Sequence, residues 1–195
     1  MSIQTRKERE RAERERLIVT AARELAEAEG WDAVTTRRLA AEIEYSQPVL
    51  YSHFKGKDAI MAAVAVQGCA DMADELRTAR TAAQGKRAAL VAVGESYTAF
   101  ARRRPALYDA MFTHRVDLPF ATPEAPEALQ RAFAELLAAV EPIAAEGDDP
   151  GLLTETYWAS LHGLVTLMRS GRLPEGAHER RLELLTGHFT AGADS

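Results

Sequence analysis

The sequence predicts an all-α protein of two domains. Three observations favour this fold class. Alanine and leucine dominate the composition while aromatic residues make up 7%, and that balance favours helix. Apolar residues recur at spacings of three and four rather than two, which is the helical period. Glycine- and proline-containing breaks divide the chain into about nine such periodic stretches, with no convincing strand.

The length and cysteine content restrict the class of protein. A chain of 195 residues is long enough for one large or two small domains. It has no uncharged apolar run of about 18 residues, so we expect no membrane span. The charged N-terminus is unlike a signal peptide. The lone Cys69 cannot form an internal disulfide, and this favours a reducing cytoplasm. The simplest interpretation of Cys69 itself is a small residue on a helix face.

The net charge of -5 is unevenly distributed. Residues 1–57 contain 11 Lys and Arg against 10 Asp and Glu, whereas residues 58–195 contain 13 against 19. The acidic excess therefore belongs to the C-terminal part. A nearly neutral N-terminal part with localised cations can still hold phosphates, because such contacts are local.

The first periodic stretch begins after a charged segment over residues 1–12, which we expect to be flexible. A helix then runs to about Glu29, with Leu17, Ala21 and Leu25 on one face. Gly30 is placed to end this helix as a C-terminal cap.

Two short helices follow. Thr35 is a favourable N-cap for a helix over Thr36–Glu42. After a tight turn, Ser46 is predicted to cap a third helix that ends near Phe54, with Pro48 tolerated in its first turn. Six further helices are predicted over 58–80, 86–103, 105–111, 125–145, 151–170 and 175–189, with a proline-rich loop over 113–126.

Two short helices joined by a tight turn form a helix-turn-helix motif. Its second helix can enter a major groove by its N-terminal end. Gln47 can read a base edge through paired hydrogen bonds, and Pro48 and Val49 suit a thymine methyl group. Tyr51 and His53 can donate hydrogen bonds to phosphate oxygens. Thr36, Arg37 and Arg38 lie at the N-terminus of the first helix of the pair, which favours an anion. The predicted DNA contacts are Thr36, Arg37, Arg38, Ser46, Gln47, Pro48, Val49, Tyr51, Ser52, His53 and Lys57.

A purely structural interpretation of these residues stays open at this point. Short helix pairs occur in many all-α proteins that never contact DNA. Tyr51 then belongs to the core, His53 is a solvated surface residue, and Gln47 and Pro48 form no more than a capped turn.

Residues 14–62 resemble the N-terminal domain of the TetR family of repressors. The resemblance is carried by a threonine-capped helix, a turn, the pair Leu50–Tyr51, Phe54 three positions later, and then Lys57. It implies a helix-turn-helix DNA-binding domain over residues 1–62, followed by a helical ligand-binding and dimerisation domain over 63–195. The implied partners are double-stranded operator DNA, a second copy of the chain and a small-molecule effector.

The turn departs from the family pattern. The family usually has glycine where this chain has Glu44, because a positive φ is cheap for glycine. Glu44 either tolerates this strain or belongs to a turn of different shape. It also adds a negative charge close to the predicted DNA face.

The C-terminal part contains Trp158, His162 and Gly163, a pattern similar to that of one group of TetR-like C-terminal domains. Trp158 and His162 share a helix face and line either a ligand cavity or a dimer seam, or else belong to the core. The aromatic stripe of the middle helices supplies further pocket candidates, although such a stripe is more often core. The predicted ligand contacts are Tyr97, Phe100, Tyr108, Met111, Phe112, Trp158 and His162.

The function predicted from the sequence is a homodimeric repressor that a small molecule releases from its operator. A regulator that responds to a protein partner, or to no ligand, is the alternative. An enzyme is disfavoured, because we find no Gly-rich phosphate loop, no metal-ligand spacing among the histidines and no catalytic arrangement. We therefore predict no catalytic or metal residues and no cofactor. A structural helical protein is equally disfavoured.

Overall fold

The computed structural model describes residues 3–120 and 122–191, and within them it has nine α-helices and no strand. The helices are α1 Ile3–Glu29, α2 Thr36–Glu42, α3 Gln47–His53, α4 Lys57–Ala82, α5 Lys86–Arg103, α6 Pro105–Phe112, α7 Glu127–Val140, α8 Pro150–Arg169 and α9 His178–Thr190. Short 3-10 turns occupy Trp31–Ala33, Glu141–Ile143 and Glu175–Ala177. The predicted all-α fold with a three-helix N-terminal motif is confirmed. In the described part of the chain, every helix is too short or too polar to cross a membrane.

The helices form two compact units. The first contains the chain up to Gly68 together with 104–126, and the second contains 69–103 together with the chain from Glu127 onward. Helix α6 thus belongs to the N-terminal unit although it follows α5 in the sequence. The predicted boundary between a DNA-binding domain over residues 1–62 and a ligand-binding and dimerisation domain over 63–195 stays a prediction.

The first unit is built on a core of aliphatic side chains from its N-terminal helices. Ile18 of α1, Leu39 of α2, Leu50 of α3 and Ile60 of α4 are all fully buried. Burying a side chain of this size contributes about 1.5–3 kcal/mol to stability. The two short helices are therefore held mainly by packing, because seven-residue helices are marginal on their own.

Helix α6 is attached to the first unit by polar contacts as well as by packing. The Glu27 carboxylate accepts hydrogen bonds from the backbone N–H groups of Ala106 and Leu107, at 3.2 and 2.9 Å. These are unpaired donors of the first turn of α6, so Glu27 caps that helix from a distant part of the chain. The buried Trp31 donates its Nε1–H to the Ala106 carbonyl at 2.8 Å.

The second unit packs around α5. Leu90, Val93, Tyr97 and Phe100 of that helix are fully buried. The Tyr157 hydroxyl donates to the Leu90 carbonyl at 2.8 Å. This approach requires a glycine on α5, because a Cβ atom at Gly94 would lie 2.5 Å from the Tyr157 hydroxyl.

Three helix boundaries differ from those predicted. Helix α1 already begins at Ile3, where we predicted a flexible segment over residues 1–12; Met1 and Ser2 lie outside the described residues. Arg6 pairs with Glu10 at 2.8 Å, the one-turn spacing that supports an exposed helix. Helix α7 ends at Val140, not near residue 145, because Pro142 lacks an N–H and is sterically incompatible with a continuing helix. Helix α9 begins at His178 after a 3-10 turn.

Candidate nucleic-acid interface

Helix α2 begins as the sequence predicts. Thr35 has an extended backbone, and its hydroxyl oxygen accepts a hydrogen bond from the Arg38 N–H at 3.2 Å. Such a cap stabilises a helix by about 1 kcal/mol. The buried Leu39 and Ala40 fix the orientation of α2, which leaves Arg37 exposed at the surface.

The turn after α2 is a Schellman motif. The Tyr45 N–H bonds to the Ala40 carbonyl at 2.8 Å, and the Glu44 N–H bonds to the Ala41 carbonyl at 3.3 Å. This motif requires a left-handed residue, and Glu44 takes that position with φ +55°. Of the two alternatives for this turn, Glu44 therefore tolerates the strain, at a cost of roughly 1–2 kcal/mol.

Helix α3 has one buried side and one exposed side. Leu50 is fully buried, whereas Tyr51 is 51% exposed and Val49 is 39% exposed. Gln47 and Pro48 are also exposed, and Pro48 lies in the first turn as predicted. Tyr51 is therefore a surface residue and the alternative that placed it in the core is wrong.

Ser46 stands at the N-cap position of α3 with an extended backbone, but its side chain makes no capping hydrogen bond. The predicted cap is therefore wrong in chemistry, though right in position. The exposed hydroxyl of Ser46 is left available to an incoming group. The Ser52 hydroxyl instead donates to the Val49 carbonyl at 2.6 Å.

A polar contact joins the two helices of the motif at the surface. The Thr36 and Tyr51 hydroxyl oxygens lie 3.3 Å apart. Seven of the predicted DNA contacts of α2 and α3 are exposed, and Thr36, which contacts Tyr51, is half-buried. We call these eight residues the α2–α3 face, namely Thr36, Arg37, Ser46, Gln47, Pro48, Val49, Tyr51 and Ser52.

The three remaining predicted contacts are engaged within the protein. The Arg38 guanidinium forms a two-point ion pair with Glu29, and this hydrogen bond lowers the pKa of the Glu29 carboxyl. Lys57 donates from Nζ to the Trp31 carbonyl. The His53 side chain is only 5% exposed, and its Nδ1 lies 3.3 Å from Glu15 Oε1. Each of these groups would have to share or exchange a partner to hold a phosphate.

The sequence analysis missed Arg11 as a neighbour of this face. Its Nη2 lies 3.5 Å from the Ser52 carbonyl, and its Nε pairs with Glu15 at 2.8 Å. The signal was present in the sequence as Arg–Glu pairs four residues apart, namely Arg6 with Glu10 and Arg11 with Glu15. We overlooked it because the segment was predicted to be flexible.

The predicted ligand residues are divided between the two units. Tyr97 and Phe100 are buried in the second unit, where Tyr97 accepts a hydrogen bond from Trp158 Nε1 at 3.0 Å. Tyr108 and Met111 are buried in the first unit. Phe112, half-buried, packs edge-to-face on Tyr108 with the ring centroids 4.9 Å apart.

His162 is half-buried on α8, and its Nε2 lies 3.5 Å from the Thr166 hydroxyl. Burial and, to a smaller extent, Arg169 lower the pKa of His162. Two grooves in the described part of the second unit, of about 390 and 510 Å³, are lined by none of the seven predicted ligand residues. Within residues 3–120 and 122–191, no group of three His, Cys, Asp or Glu side chains is placed to hold a metal ion. A ligand role for the seven residues stays a prediction.

Two models of known protein families match this chain. The family model for bacterial regulatory proteins of the tetR family matches residues 18–64. The model for the tetracycline repressor-like C-terminal domain matches residues 90–189, which is half of the chain. The chain belongs to the tetR family. It is therefore a DNA-binding transcriptional regulator, and the segment Trp158–Gly163 lies inside the matched C-terminal domain.

Individual proteins and solved structures are also similar to this chain. An uncharacterized HTH-type transcriptional regulator of Mycobacterium tuberculosis is 29% identical over 154 residues, which cover 79% of this chain and 69% of the relative. A protein of unknown function from Rhodococcus sp. RHA1 has the same fold, with a TM-score of 0.77, 22% identity, and coverage of 93% of this chain and 95% of that one. A TetR variant from Acinetobacter baumannii in complex with minocycline has a TM-score of 0.59 at 21% identity, covering 91% and 97% of the two chains.

Proposed function

We propose that this regulator is a homodimeric repressor that binds operator DNA through the α2–α3 face and is released by a small molecule. The observation that carries the DNA-binding part is the exposed side of α3, where Gln47, Pro48 and Val49 stand together. Gln47 pairs with a base edge, while Pro48 and Val49 contact a thymine methyl. Thr36, Arg37, Ser46, Tyr51 and Ser52 hold phosphates around it.

The proposed role of Arg38, His53 and Lys57 is indirect. Arg38 links α2 to the end of α1 through Glu29, and Lys57 links the start of α4 to the Trp31 carbonyl. His53 contacts Glu15 of α1. These residues orient the α2–α3 face, and a phosphate contact by any of them requires rearrangement of the present partner.

A second copy of the chain is proposed to cover one face of α8. Leu152 is 61% exposed and Leu167 is 40% exposed, and the helical period places both on the same face as Gly163. A Cβ atom at Gly163 would have no neighbour within 4 Å. This face thus has small and apolar residues that admit another helix closely. Leu184 of α9 is a further exposed apolar residue of the same unit, at 52%. Two copies would read two half-sites by two-fold symmetry.

A ligand effect requires that the effector bind the DNA-free and DNA-bound conformations with different affinity. The complex of the Acinetobacter TetR variant with minocycline makes a small organic effector the first class to test. We propose the effector contacts within one unit, either Tyr97, Phe100, Trp158 and His162 in the second unit or Tyr108, Met111 and Phe112 in the first. The alternative is a regulator that responds to a protein partner or to no ligand.

The test of the ligand-responsive repressor measures DNA binding together with effector binding. Purified protein should bind DNA from upstream of its own gene in a saturable and salt-sensitive manner. Minocycline and a panel of small organic compounds should be screened by thermal shift, because a ligand of the folded state raises Tm. A compound that raises Tm should also weaken DNA binding. Compounds that raise Tm but leave DNA binding unchanged would contradict effector-controlled release, and no binding to upstream DNA would contradict the repressor itself.

Dimer formation is tested by sedimentation of the Gly163→Arg variant. We expect dimers for the wild-type protein and monomers for this variant, because an arginine at the α8 face blocks close approach. Gly176→Arg is the matched control, since Gly176 is exposed and a Cβ there also has open space. A Gly163→Arg variant that remains dimeric would place the interface elsewhere.

We infer that the protein acts in the cytoplasm and catalyses no reaction.

A further inference from the structure

The N-terminal half of α1 has a row of cations on one side. Lys7, Arg11 and Arg14 follow one another at spacings of four and three, so they lie within a narrow sector of the helix surface. All three are exposed. We call these three residues the α1 basic stripe. Arg9 and Arg16 lie on the opposite side of the same helix.

The α1 basic stripe lies beside the C-terminal end of α3. Its middle residue, Arg11, is 3.5 Å from the Ser52 carbonyl. One turn further along α1, Glu15 contacts His53 at 3.3 Å. Through Arg11 the stripe therefore lies next to Ser52, the last member of the α2–α3 face, at the end of α3 opposite to Gln47.

The stripe keeps its positive charge despite the glutamates around it. Residues 6–16 contain six Lys and Arg against four Glu. Glu10 is held by Arg6 at 2.8 Å, and this hydrogen bond is the main cause of its lowered pKa. Glu15 is shared between Arg11 and His53. Lys7 and Arg14 take part in none of the ion pairs between described side chains, and both act on Glu10 only through space, as minor causes of its lowered pKa.

We propose that the α1 basic stripe binds phosphates of the DNA backbone beside the base pairs read by α3. The proposal rests on the DNA-binding role of α3. Lys7 and Arg14 are seven residues apart, or about 10 Å along the helix. That length matches about three phosphates of one strand, measured along the duplex axis. Phosphate contacts add affinity without sequence preference, so the stripe enlarges the footprint of the protein but does not choose its operator.

The experiment uses the full chain and two DNA probes, namely duplex DNA from upstream of its own gene and a random duplex of equal length. The dissociation constant is measured against salt concentration between 50 and 200 mM. For the double variant Lys7→Gln/Arg14→Gln we expect the slope of log K against log[salt] to fall by about 2, since each phosphate contact contributes about 0.9. Binding should weaken by roughly tenfold to a hundredfold on both probes alike.

The matched control is Arg9→Gln/Arg16→Gln, which makes the same change in net charge on the opposite side of α1. Its slope should change by less than about 0.5. Lys7→Arg/Arg14→Lys should keep the wild-type slope because it keeps both charges. Circular dichroism of each variant checks that α1 remains helical.

The proposal is overturned if both glutamine variants lower the slope equally, because net charge and not the stripe would then be responsible. It is also overturned if the Lys7/Arg14 variant keeps the wild-type slope while the wild-type protein binds DNA normally. Absence of DNA binding by the wild-type protein would instead remove the proposed function, and the stripe proposal with it.

Discussion

At the scale of single residues, Glu44 shows how backbone geometry can override residue preference. The Schellman motif after α2 needs a left-handed residue, and glycine is the usual solution. This chain has glutamate there with φ +55°. The packing of Leu39 and Leu50, both fully buried, holds α2 and α3 in place and so maintains the strained turn.

Glu44→Gly should therefore stabilise the protein. We expect the free energy of unfolding to rise by about 0.5–1 kcal/mol, because glycine removes the left-handed strain but adds freedom to the unfolded chain. Chemical denaturation measures this change. Glu42→Gly is the matched control, since Glu42 has helical geometry in α2 and glycine there should destabilise by about 1 kcal/mol. Equal destabilisation by both variants would show that the turn is not strained.

His178 is the second residue with an environment that deserves a test. It is 8% exposed, its Nε2 lies 2.9 Å from the Thr98 hydroxyl, and its Nδ1 is buried without a hydrogen-bond partner. Burial is the main cause that lowers the pKa of His178. Arg102 and Arg181 lower it further, and Glu179 and Glu175 oppose them. The folded protein therefore favours the neutral imidazole.

Stability should fall in mild acid for this reason. In the unfolded chain a histidine takes up a proton near pH 6.5, whereas folded His178 does so only at lower pH. The stabilising contribution is thus present above about pH 6.5 and is lost as the pH falls toward the folded pKa. His178→Gln should lose less stability than the wild type between pH 7.5 and 5.5 in denaturant titrations. His188→Gln, at an exposed site on α9, should behave like the wild type. The same pH dependence in all three proteins would contradict this account.

At the scale of elements, α6 depends on a side chain from α1. Glu27 accepts hydrogen bonds from the N–H groups of Ala106 and Leu107, which otherwise lack partners in the first turn of α6. Trp31 holds the Ala106 carbonyl in the same region. The start of α6 is therefore fixed to the helix that also supports the α2–α3 face.

Glu27→Ala should loosen this attachment. We expect a loss of roughly 1–2 kcal/mol of unfolding free energy, the usual effect of removing a helix cap. Hydrogen exchange should be faster at the Ala106 and Leu107 amides. Glu24→Ala is the control, because Glu24 is an exposed residue of the same helix. Unchanged exchange at both amides would mean that Glu27 is not the cap.

Local sequence patterns predicted the bounds of the helices better than they predicted which residues contact each other in the fold. The bounds of α2 and α5 follow from the Thr35 cap and from the 3–4 spacing, because both signals are local in sequence. The end of α7 at Val140 also has a local signal, namely Pro142 two residues later. The Glu27–Ala106 contact was not predictable, since it joins residues 79 apart with no pattern in between.

The candidate interface was likewise predictable only where its features depend on residues close together in the sequence. The exposed residues of α3 follow from a single buried position, Leu50, and from helical geometry. The ion pair of Arg38 with Glu29 and the burial of His53 against Glu15 depend on how α1 packs beside the motif. Residue type alone made Arg38 and His53 plausible phosphate contacts, and only tertiary structure shows that both side chains already have partners.

At the scale of the whole molecule, family membership and the α2–α3 face lead to the same function. The net charge of -5 does not oppose DNA binding, because the acidic excess belongs to residues 58–195 and the exposed face is local. The family assignment makes the chain a DNA-binding regulator. Within this regulator, Gln47, Pro48 and Val49 are the side chains that we propose choose the DNA sequence.

The most direct test is the preference of the protein for DNA from upstream of its own gene over a random duplex, measured by fluorescence anisotropy. Gln47→Ala should reduce this preference by about 1–3 kcal/mol per lost base contact, while its salt dependence stays the same. Tyr51→Phe should weaken binding to both duplexes equally, because it removes a proposed phosphate contact. A Gln47→Ala variant with the full wild-type preference would contradict the assignment of α3 as the helix that reads DNA.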